Sequence, residues 1–178
     1  MTVKKTSGKS RPATAQAKAV GTSQTAAERR SAEAELRKLI TTYAPTHEAF
    51  ILALRRWFRK RLPTVHEVVY EYRDFIVLSY SPNGNGYDGV IGIHAGEKGI
   101  KLFFNHAQDL PDPAKILEGS GKQTRSLPLA GMATMKRPEV VRLVDEALIR
   151  NRIPFEAEGR GSIMIRSTTA SKKREARA

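Results

Sequence analysis

The residues from Gly119 to Lys122 read Gly-Ser-Gly-Lys, a combination that could bind a phosphate group. Glycines allow consecutive backbone N–H groups to point at one anion, and a lysine adds a positive charge. An ATPase phosphate loop would also have a glycine five residues before the Gly-Lys pair and a serine or threonine after it, where this chain has Ile116 and Gln123. The spacing therefore excludes that loop, and a turn from a helix into a strand is the favoured interpretation. The candidate ligand-binding residues of the turn and the sheet are Lys122, Arg125 and Tyr80.

Metal binding is the second chemistry that the residue types allow. The 4 histidines show no i, i+4 pair and no His-x-His spacing, so a metal site would have to be assembled across strands. His94 and His106 border the same predicted hairpin. Glu67 and Glu71 are an even number of residues apart and would share one face of an extended strand. These residues are the candidate metal ligands, and surface histidines with solvated carboxylates are the alternative interpretation.

Positive charge is concentrated in three places. Residues 1–27 carry five basic and no acidic residues, and residues 166–178 carry five basic residues and one acidic residue. These two ends hold nine of the net +13, whereas residues 28–165 carry a net +4. Such ends predict weak, sequence-independent attraction to nucleic-acid phosphates. The third place lies near the end of a predicted helix, where the candidate phosphate contacts are Arg55, Arg56, Arg59, Lys60 and Arg61.

Several classes of function are excluded or disfavoured by composition. Cysteine is absent, which excludes disulfides, thiolate nucleophiles, Cys-ligated zinc and iron–sulfur clusters. No motif places a nucleophile beside a base, so no catalytic residue is predicted. No apolar run reaches the length of a membrane span, and residues 1–27 lack the apolar segment of a secretory signal. We therefore expect a cytoplasmic protein that is not an enzyme, with an organellar transit peptide as the alternative interpretation of the acid-free residues 1–27.

The spacing of the apolar residues changes along the chain. It is helical in two N-terminal segments, of which the first begins with a capping box at Thr25 and Glu28 and the second ends before Pro63. From His66 onward it changes to the alternation of strands, and the short glycine-containing turns predict an antiparallel meander. The expected strands are 66–72, 75–80, 87–94, 100–104, 124–129 and an edge strand at 162–166, with a short helix at 112–119 and a last long helix from Pro138.

These elements predict one α+β domain. Its antiparallel sheet would have about five to six strands, flanked by two N-terminal helices and one C-terminal helix. Residues 1–24 and 167–178 have too little apolar bulk to offset the entropy of ordering them, so we expect disordered tails on either side of a folded domain at residues 25–166. The candidate core positions are Trp57, Phe58, Phe75, Val77, Ile91, Leu102, Phe104, Val141 and Leu148.

Six aromatic residues of the predicted strands have two possible roles. They could stack nucleic-acid bases on an open sheet, as RNA-binding sheets do. No RNA-binding sequence motif accompanies them, and a sheet that packs against three helices needs aromatic residues in its core, so a core role is favoured. These residues are Tyr70, Tyr72, Phe75, Tyr80, Phe103 and Phe104.

Several motifs between about His66 and Asn151 resemble the YdhG-like family of domains of unknown function. They are EVVYEY, the Tyr-Ser-Pro of residues 80–82, LFFN, DLPDP, LEGSGKQTR and the RPEV of the last helix. The resemblance implies an α+β domain with an antiparallel sheet flanked by helices, and it brings no agreed set of functional residues. Some members have been described as frataxin-like iron chaperones, so iron is the one cofactor that the resemblance implies. The first helix departs from the acidic ridge of frataxins, because it mixes Glu28, Glu33 and Glu35 with Arg29, Arg30, Arg37 and Lys38.

Three function hypotheses remain, of which the third, an enzyme, is disfavoured because no motif places a nucleophile beside a base. The first is a non-catalytic binding module of the YdhG-like type, whose sheet and glycine turn engage a small ligand, a metal or a protein partner. The alternative is a non-specific nucleic-acid-associated protein that acts through its basic tails. No membrane partner is expected.

Overall fold

Three helices and six strands follow one another in the part of the chain that the structure describes, residues 24–121 and 123–167 of a computed structural model. The helices are α1 (Ala26–Tyr43), α2 (Glu48–Arg61) and α3 (Pro138–Ile149). The strands are β1 (His66–Glu71), β2 (Phe75–Ser81), β3 (Ile91–Gly96), β4 (Gly99–Asn105), β5 (Thr124–Leu129) and β6 (Ile163–Ser167). The predicted α+β class is confirmed.

The strands form one sheet in the order β5-β4-β3-β2-β1-β6. From β1 to β5 every neighbouring pair is antiparallel, which confirms the predicted meander. The last strand differs, because β6 pairs with β1 in parallel and makes the sheet mixed. α3 carries the chain back after β5, so β6 begins at the same end of the sheet as β1 and runs in the same direction. The predicted edge strand at 162–166 is confirmed, at Ile163–Ser167.

Local sequence signals set the helix ends. The Thr25 hydroxyl accepts a hydrogen bond from the Glu28 N–H (3.2 Å), and the Glu28 carboxylate accepts one from the Thr25 N–H (2.8 Å), which completes the predicted capping box. Pro138 occupies the first turn of α3, where its missing N–H leaves no hydrogen bond unmade. The side of α2 that faces the core consists of Ile51, Leu54, Arg55 and Phe58. An arginine therefore lies among the apolar residues of this helix.

The predicted short helix at 112–119 is wrong. The Asp112 carboxylate accepts hydrogen bonds from the N–H groups of Ile116 (3.0 Å) and Leu117 (2.9 Å), which closes a turn instead of capping a helix. Lys115 has a positive φ of 52°, which a right-handed helix does not allow. The strand predicted at 87–94 begins only at Ile91, because residues 86–88 form a 3-10 turn.

The three helices pack on one face of the sheet. A single cluster of buried side chains in the described chain joins Leu36 of α1, Phe58 of α2 and Val144 of α3 to the residues of that face. Four predicted core positions are fully part of this cluster, and two more pack against it while partly exposed. The buried four are Phe58, Ile91, Leu102 and Phe104, and the partly exposed two are Trp57 and Leu148.

Three predicted core positions are wrong. Ile76 and Leu78 of β2 lie in the core, so the alternation of a strand turns Phe75 and Val77 to the opposite face, where they are half-buried. On α3 the buried stripe passes through Val140 rather than Val141. Among the described helices, none is long and apolar enough to cross a membrane.

Candidate functional site

Arg55 lies at the centre of a buried ion-pair network. Its side chain is 3% exposed, and its guanidinium binds two carboxylates. Arg55 Nε and Nη2 donate to Glu67 Oε1 and Oε2 (2.9 and 2.8 Å), and Arg55 Nη1 and Nη2 donate to Glu33 Oε1 and Oε2 (2.6 and 3.0 Å). Both contacts use two parallel hydrogen bonds, the strongest geometry between these groups. The network therefore joins α1, α2 and β1 by charge as well as by apolar packing.

These hydrogen bonds fix the ionisation of the network. The Arg55 guanidinium lowers the pKa of Glu33 from 4.5 to about 2, chiefly by hydrogen bonding. Burial acts to lower the pKa of Arg55, but its hydrogen bonds to Glu33 and Glu67 outweigh burial and raise that pKa above its ordinary value. Arg55 and Glu33 are therefore both charged at neutral pH.

Arg59 extends the network toward solvent. It lies one turn after Arg55 on the same side of α2, and its Nη2 donates to Glu67 Oε2 (2.5 Å) and to Glu33 Oε2 (3.4 Å). The Arg59 side chain is 37% exposed, whereas that of Glu67 is 1% exposed. The Arg59 guanidinium is thus held by the buried Glu67 carboxylate and the partly exposed Glu33 carboxylate, and its side chain remains accessible from outside.

A cavity of about 220 Å³ opens beside Arg59. Arg29 enters it from the start of α1, and Arg160 enters it from the segment before β6. Glu67 is the one acidic residue among the described lining residues. The lining consists of Arg29, Arg59, Pro63, Val65, Glu67, Arg160, Gly161 and Ser162. We refer to it as the arginine cavity.

Positive charge exceeds negative charge around the arginine cavity. The cavity and its ion-pair network together contain four arginines and two glutamates: Arg29, Arg55, Arg59, Arg160, Glu33 and Glu67. Burial lowers the pKa of Arg29, and the positive charges of Arg160 and Arg59 lower it further. An anion in the cavity would relieve this repulsion, because an opposite charge favours the charged form of a group.

Gly161 allows the segment before β6 to approach β1 closely enough to complete the cavity. A Cβ atom at this position would overlap the carbonyl group of Val65. The Arg29 guanidinium donates to the Gly161 carbonyl oxygen, and the Ser162 N–H donates to His66 Nδ1 (3.2 Å). Burial, followed by the charge of Arg29, lowers the pKa of His66, which favours the neutral ring that accepts this bond.

Two of the three predicted ligand-binding residues, Tyr80 and Arg125, do not come together. Tyr80 is fully buried: its ring stacks on Phe58 with centroids 4.4 Å apart, and burial raises its pKa well above the ordinary value. Arg125 lies on β5, separated from Tyr80 by β3 and β4, and its Nε donates to the Gly121 carbonyl oxygen (3.1 Å). Lys122 lies outside the described residues.

The two candidate carboxylates are held by protein donors. Glu67 and Glu71 share the helix-covered face of β1, as their spacing predicts. Glu67 binds Arg55 and Arg59, and Glu71 Oε1 accepts a hydrogen bond from the Tyr43 hydroxyl (2.7 Å). Their oxygens therefore contact hydrogen-bond donors that would compete with a metal ion.

The candidate histidines lie away from these carboxylates. His94 is on the opposite face of the sheet, where its ring stacks on Phe75 with centroids 4.2 Å apart. In the sheet His94 pairs with Lys101, and His106 follows the far end of β4, roughly 16 Å further along the strand. Within residues 24–121 and 123–167, no group of three or more His, Asp or Glu side chains could hold a metal ion. The four candidate ligands are thus not brought together.

The basic residues of α2 point in different directions. Arg55 and Arg59 turn toward the carboxylates of the network, and Arg61 pairs with Asp145 of α3. Successive residues of a helix are about 100° apart around its axis, so this run of cations cannot form one face. The exposed basic residues of α2 outside these three ion pairs are Arg56 and Lys60.

A larger cavity of about 320 Å³ lies at the same end of the sheet, between the β2–β3 connection and the end of α3. Two of its charged side chains already have polar partners, because Asp88 accepts a hydrogen bond from Asn83 (2.9 Å) and Arg150 binds Glu146 (3.0 Å). Arg152 is the remaining cation of its lining. The smaller arginine cavity therefore concentrates more charge on a possible ligand.

Sequence analysis missed four residues of this site. Two of them lie near the start of α1 and two lie more than a hundred positions later, before β6. No local pattern connects these two segments. One signal was available: Arg55 lies at helical spacing between Ile51 and Phe58, which indicates an arginine that faces the core and needs an acidic partner. The missed residues are Arg29, Glu33, Arg160 and Ser162.

Comparison of this chain with protein-family models, with curated proteins and with solved structures finds no match. Its function is therefore inferred from the arrangement of its own residues. In the arginine cavity, the described residues combine several charges with partial burial and an opening to solvent.

Proposed function

We propose that this chain is a non-catalytic binding module of the YdhG-like type that holds a small dianion in the arginine cavity. The observation that carries the proposal is the imbalance of four arginines against two glutamates around one cavity. Two positive charges are left for a ligand to neutralise. A phosphate group, free or on a small molecule, has the matching charge, and two of its oxygens can accept the paired hydrogen bonds of a guanidinium group.

The size of the cavity limits the ligand. Pockets for drug-sized molecules usually measure about 300–1,000 Å³. At about 220 Å³, the arginine cavity is smaller than these. It would enclose an inorganic anion or the charged head of a phosphorylated molecule, and the rest of a larger ligand would extend into solvent.

The ion-pair network supports binding by holding a cation in advance. Arg59 is fixed by Glu67, and Glu67 is fixed in turn by Arg55. A flexible arginine loses rotational freedom when it binds a ligand, at a cost of about 0.5–1.5 kcal/mol per side chain. Part of that cost is already met in the folded protein, which favours affinity for an anion in this place.

Thermal unfolding in the presence of anions tests the proposal. Inorganic phosphate, a nucleoside monophosphate and succinate are compared at one ionic strength, maintained with sodium chloride. Phosphate should stabilise the protein by RT ln(1 + [L]/Kd), which is about 2.7 kcal/mol at one hundred times Kd. Arg29→Gln and Arg160→Gln should each remove most of this ligand-dependent shift.

Arg56→Gln is the matched control, because it removes the same charge from an exposed position of α2 that does not line the cavity. This variant should retain the full phosphate shift. An equal shift in all four proteins, or none in the wild type, would overturn the proposal. A shift with succinate alone would retain the site and replace phosphate by a dicarboxylate as its ligand.

Nucleic-acid association is the second candidate function. It rests on the distribution of charge, since the two ends of the chain hold nine of the net +13. Duplex binding through such segments should weaken by roughly 0.9 log units per phosphate contact for each tenfold rise in salt. A chain cut to residues 24–167, which keeps Gln24, the Thr25 cap and all of β6, should lose nearly all duplex affinity if the ends alone carry it.

A further inference from the structure

The larger cavity, of about 320 Å³, is lined by different residues from the arginine cavity. Tyr87, Asp88 and Val90 of the β2–β3 connection line it, together with residues at and after the end of α3 and others that follow β4. Its volume falls within the range of about 300–1,000 Å³ that is usual for drug-sized ligands. It can therefore enclose a small organic molecule, whereas the arginine cavity has room for an inorganic anion or a charged head group.

Part of the lining of the larger cavity is apolar and continuous with the hydrophobic core. Val90 and Ala147 are buried members of the core, and Leu110 packs against it while partly exposed. Ile153 adds another half-buried apolar side chain. We call these four residues the apolar floor. A ligand with an apolar body would remove the floor from water, which favours binding.

Tyr87 places an exposed aromatic ring beside the floor. It lines the cavity and is 91% exposed, so its ring contributes little to the core. Its backbone is well anchored, because the Tyr87 N–H donates to the Asn85 side chain (3.2 Å) and the Gly89 N–H donates to the Gly86 carbonyl oxygen (3.2 Å). Gly86 also lies so close to the Tyr70 hydroxyl that a Cβ atom would overlap it. The ring is thus available to a ligand and starts from a fixed position.

One cation of the lining is left for a ligand. Arg150 binds Glu146 (3.0 Å), whereas Arg152 is exposed and makes no ion pair within the described residues. A guanidinium group binds a carboxylate through two parallel hydrogen bonds. The negative charge of Asp88, another lining residue, disfavours a ligand that carries two negative charges. The larger cavity therefore matches a single carboxylate, and the arginine cavity matches a dianion.

We infer that the larger cavity binds a small aromatic monocarboxylate. The ring of the ligand would lie over the apolar floor and against Tyr87, and its carboxylate would bind Arg152. An aromatic ring is favoured over an aliphatic one, because ring pairs gain energy beyond the area that they bury. The two cavities share no residue among their described lining residues, so this inference does not depend on the proposed function.

A backbone-amide NMR titration of the full chain tests the inference, because it gives both the affinity and the location of a ligand. The probes are phenylpropionate, phenylpropionamide, which lacks the charge, and cyclohexylpropionate, which lacks the aromatic ring. Phenylpropionate should shift the amide signals of residues 87–90 and 147–153. It should bind roughly ten- to a hundredfold more tightly than the amide, since a hydrogen-bonded charge contributes that factor. Cyclohexylpropionate should bind roughly two- to tenfold more weakly than phenylpropionate.

Two variants test the two parts of the site. Arg152→Gln should weaken binding of phenylpropionate at least about tenfold and leave binding of phenylpropionamide unchanged. Tyr87→Leu keeps an apolar side chain and should make the affinities for phenylpropionate and cyclohexylpropionate equal. Arg142→Gln is the matched control, because Arg142 is an exposed arginine of α3 that does not line the cavity. It should bind phenylpropionate as the wild type does.

Several outcomes would overturn the inference. They are the absence of saturable shifts with millimolar phenylpropionate, equal affinity for the acid and its amide, and equal effects of Arg152→Gln and Arg142→Gln. Shifts confined to residues 160–162 and lost in Arg29→Gln would place the carboxylate in the arginine cavity and would also overturn it. Arg152→Gln should retain protection by phosphate, so the two proposals can fail separately.

Discussion

The arginine cavity and the stacked rings of Tyr72, Phe75 and His94 lie toward opposite ends and on opposite faces of one sheet. The cavity depends on fixed charges, with Arg55 buried between two carboxylates and Arg59 held beside the opening. The three rings stack on one another, and the ion pairs beside them, Lys101 with Glu118 and Arg73 with Asp74, are exposed. Breaking a buried ion pair costs far more than breaking an exposed one, so the two regions differ in what charge pairing contributes to stability.

The largest expected effect concerns the charge pairing of the cavity. Glu67→Gln removes the buried carboxylate that Arg55 and Arg59 share, and the remaining positive charge is then only partly compensated by Glu33. Breaking a buried ion pair from one side costs about 3–5 kcal/mol, and we expect about 3 kcal/mol because Glu33 stays in place. Urea unfolding measures the change.

Glu118→Gln is the control for this substitution, because it breaks the exposed pair with Lys101 near the stacked rings. Exposed pairs contribute about 0–1 kcal/mol, so its effect should fall below that of Glu67→Gln by several-fold. Equal losses in the two variants would show that charge pairing does not distinguish the two regions.

The next effect concerns the closure of the cavity. Gly161→Ala places a methyl group against the Val65 carbonyl and should cost about 1–3 kcal/mol, the usual range for overpacking. Phosphate protection should be lost at the same time, because Arg160 and Ser162 move with the segment. Gly131→Ala is the control, since a Cβ atom there would meet nothing within 4 Å. A stable Gly161→Ala protein that still responds to phosphate would contradict the proposed position of the site.

Lowering the pH should have a smaller effect on stability. The pKa of Glu33 is about 2 in the folded protein and ordinarily 4.5, so the unfolded chain binds the proton more readily. The stability that this group contributes is fully present above about pH 4.5 and is lost as the pH falls toward 2. Glu33→Gln should therefore lower stability at neutral pH and show a shallower decline between those pH values. Parallel pH profiles of the wild type and the variant would refute the assignment.

The smallest effect is expected from the N-terminal segment. Removing residues 1–23 should change the free energy of unfolding by no more than about 0.5 kcal/mol, because the segment has few apolar side chains to bury. Gln24 should be kept, since its side-chain amide exchanges two hydrogen bonds with the Ile163 backbone (3.0 and 3.1 Å). A large drop in the unfolding midpoint would show that residues 1–23 contribute to the fold.

The sequence predicted those parts of the fold that depend on near neighbours. The capping box at Thr25, the meander from His66 and the proline start of α3 each lie within a few residues, and each is confirmed. The short helix at 112–119 failed because the Asp112 side chain bonds N–H groups four and five residues later and closes a turn. Aspartate is common both as a helix cap and as a turn residue. The conformation of the backbone that follows decides which of the two roles it has.

The candidate site was less predictable because its residues meet only in the folded chain. Arg29 and Arg160 reach the same cavity through the pairing of β6 with β1, which the expectation of a purely antiparallel sheet did not include. The aromatic residues were predicted as one group, but alternation divides them between the two faces. Tyr80 and Phe104 belong to the core, whereas Tyr72 and Phe75 lie on the opposite face of the sheet.

The parallel pairing of β6 also sets the order in which the protein can be completed during synthesis. β1 leaves the ribosome almost a hundred residues before β6, so one edge of β1 has no partner while the intervening chain is made. An unpaired edge strand can join the strand of another molecule, which exposes the growing chain to aggregation. Arrival of Gly161 and β6 covers that edge and closes the arginine cavity in one step. Anion binding would therefore report that translation has passed this point and that the last strand has docked.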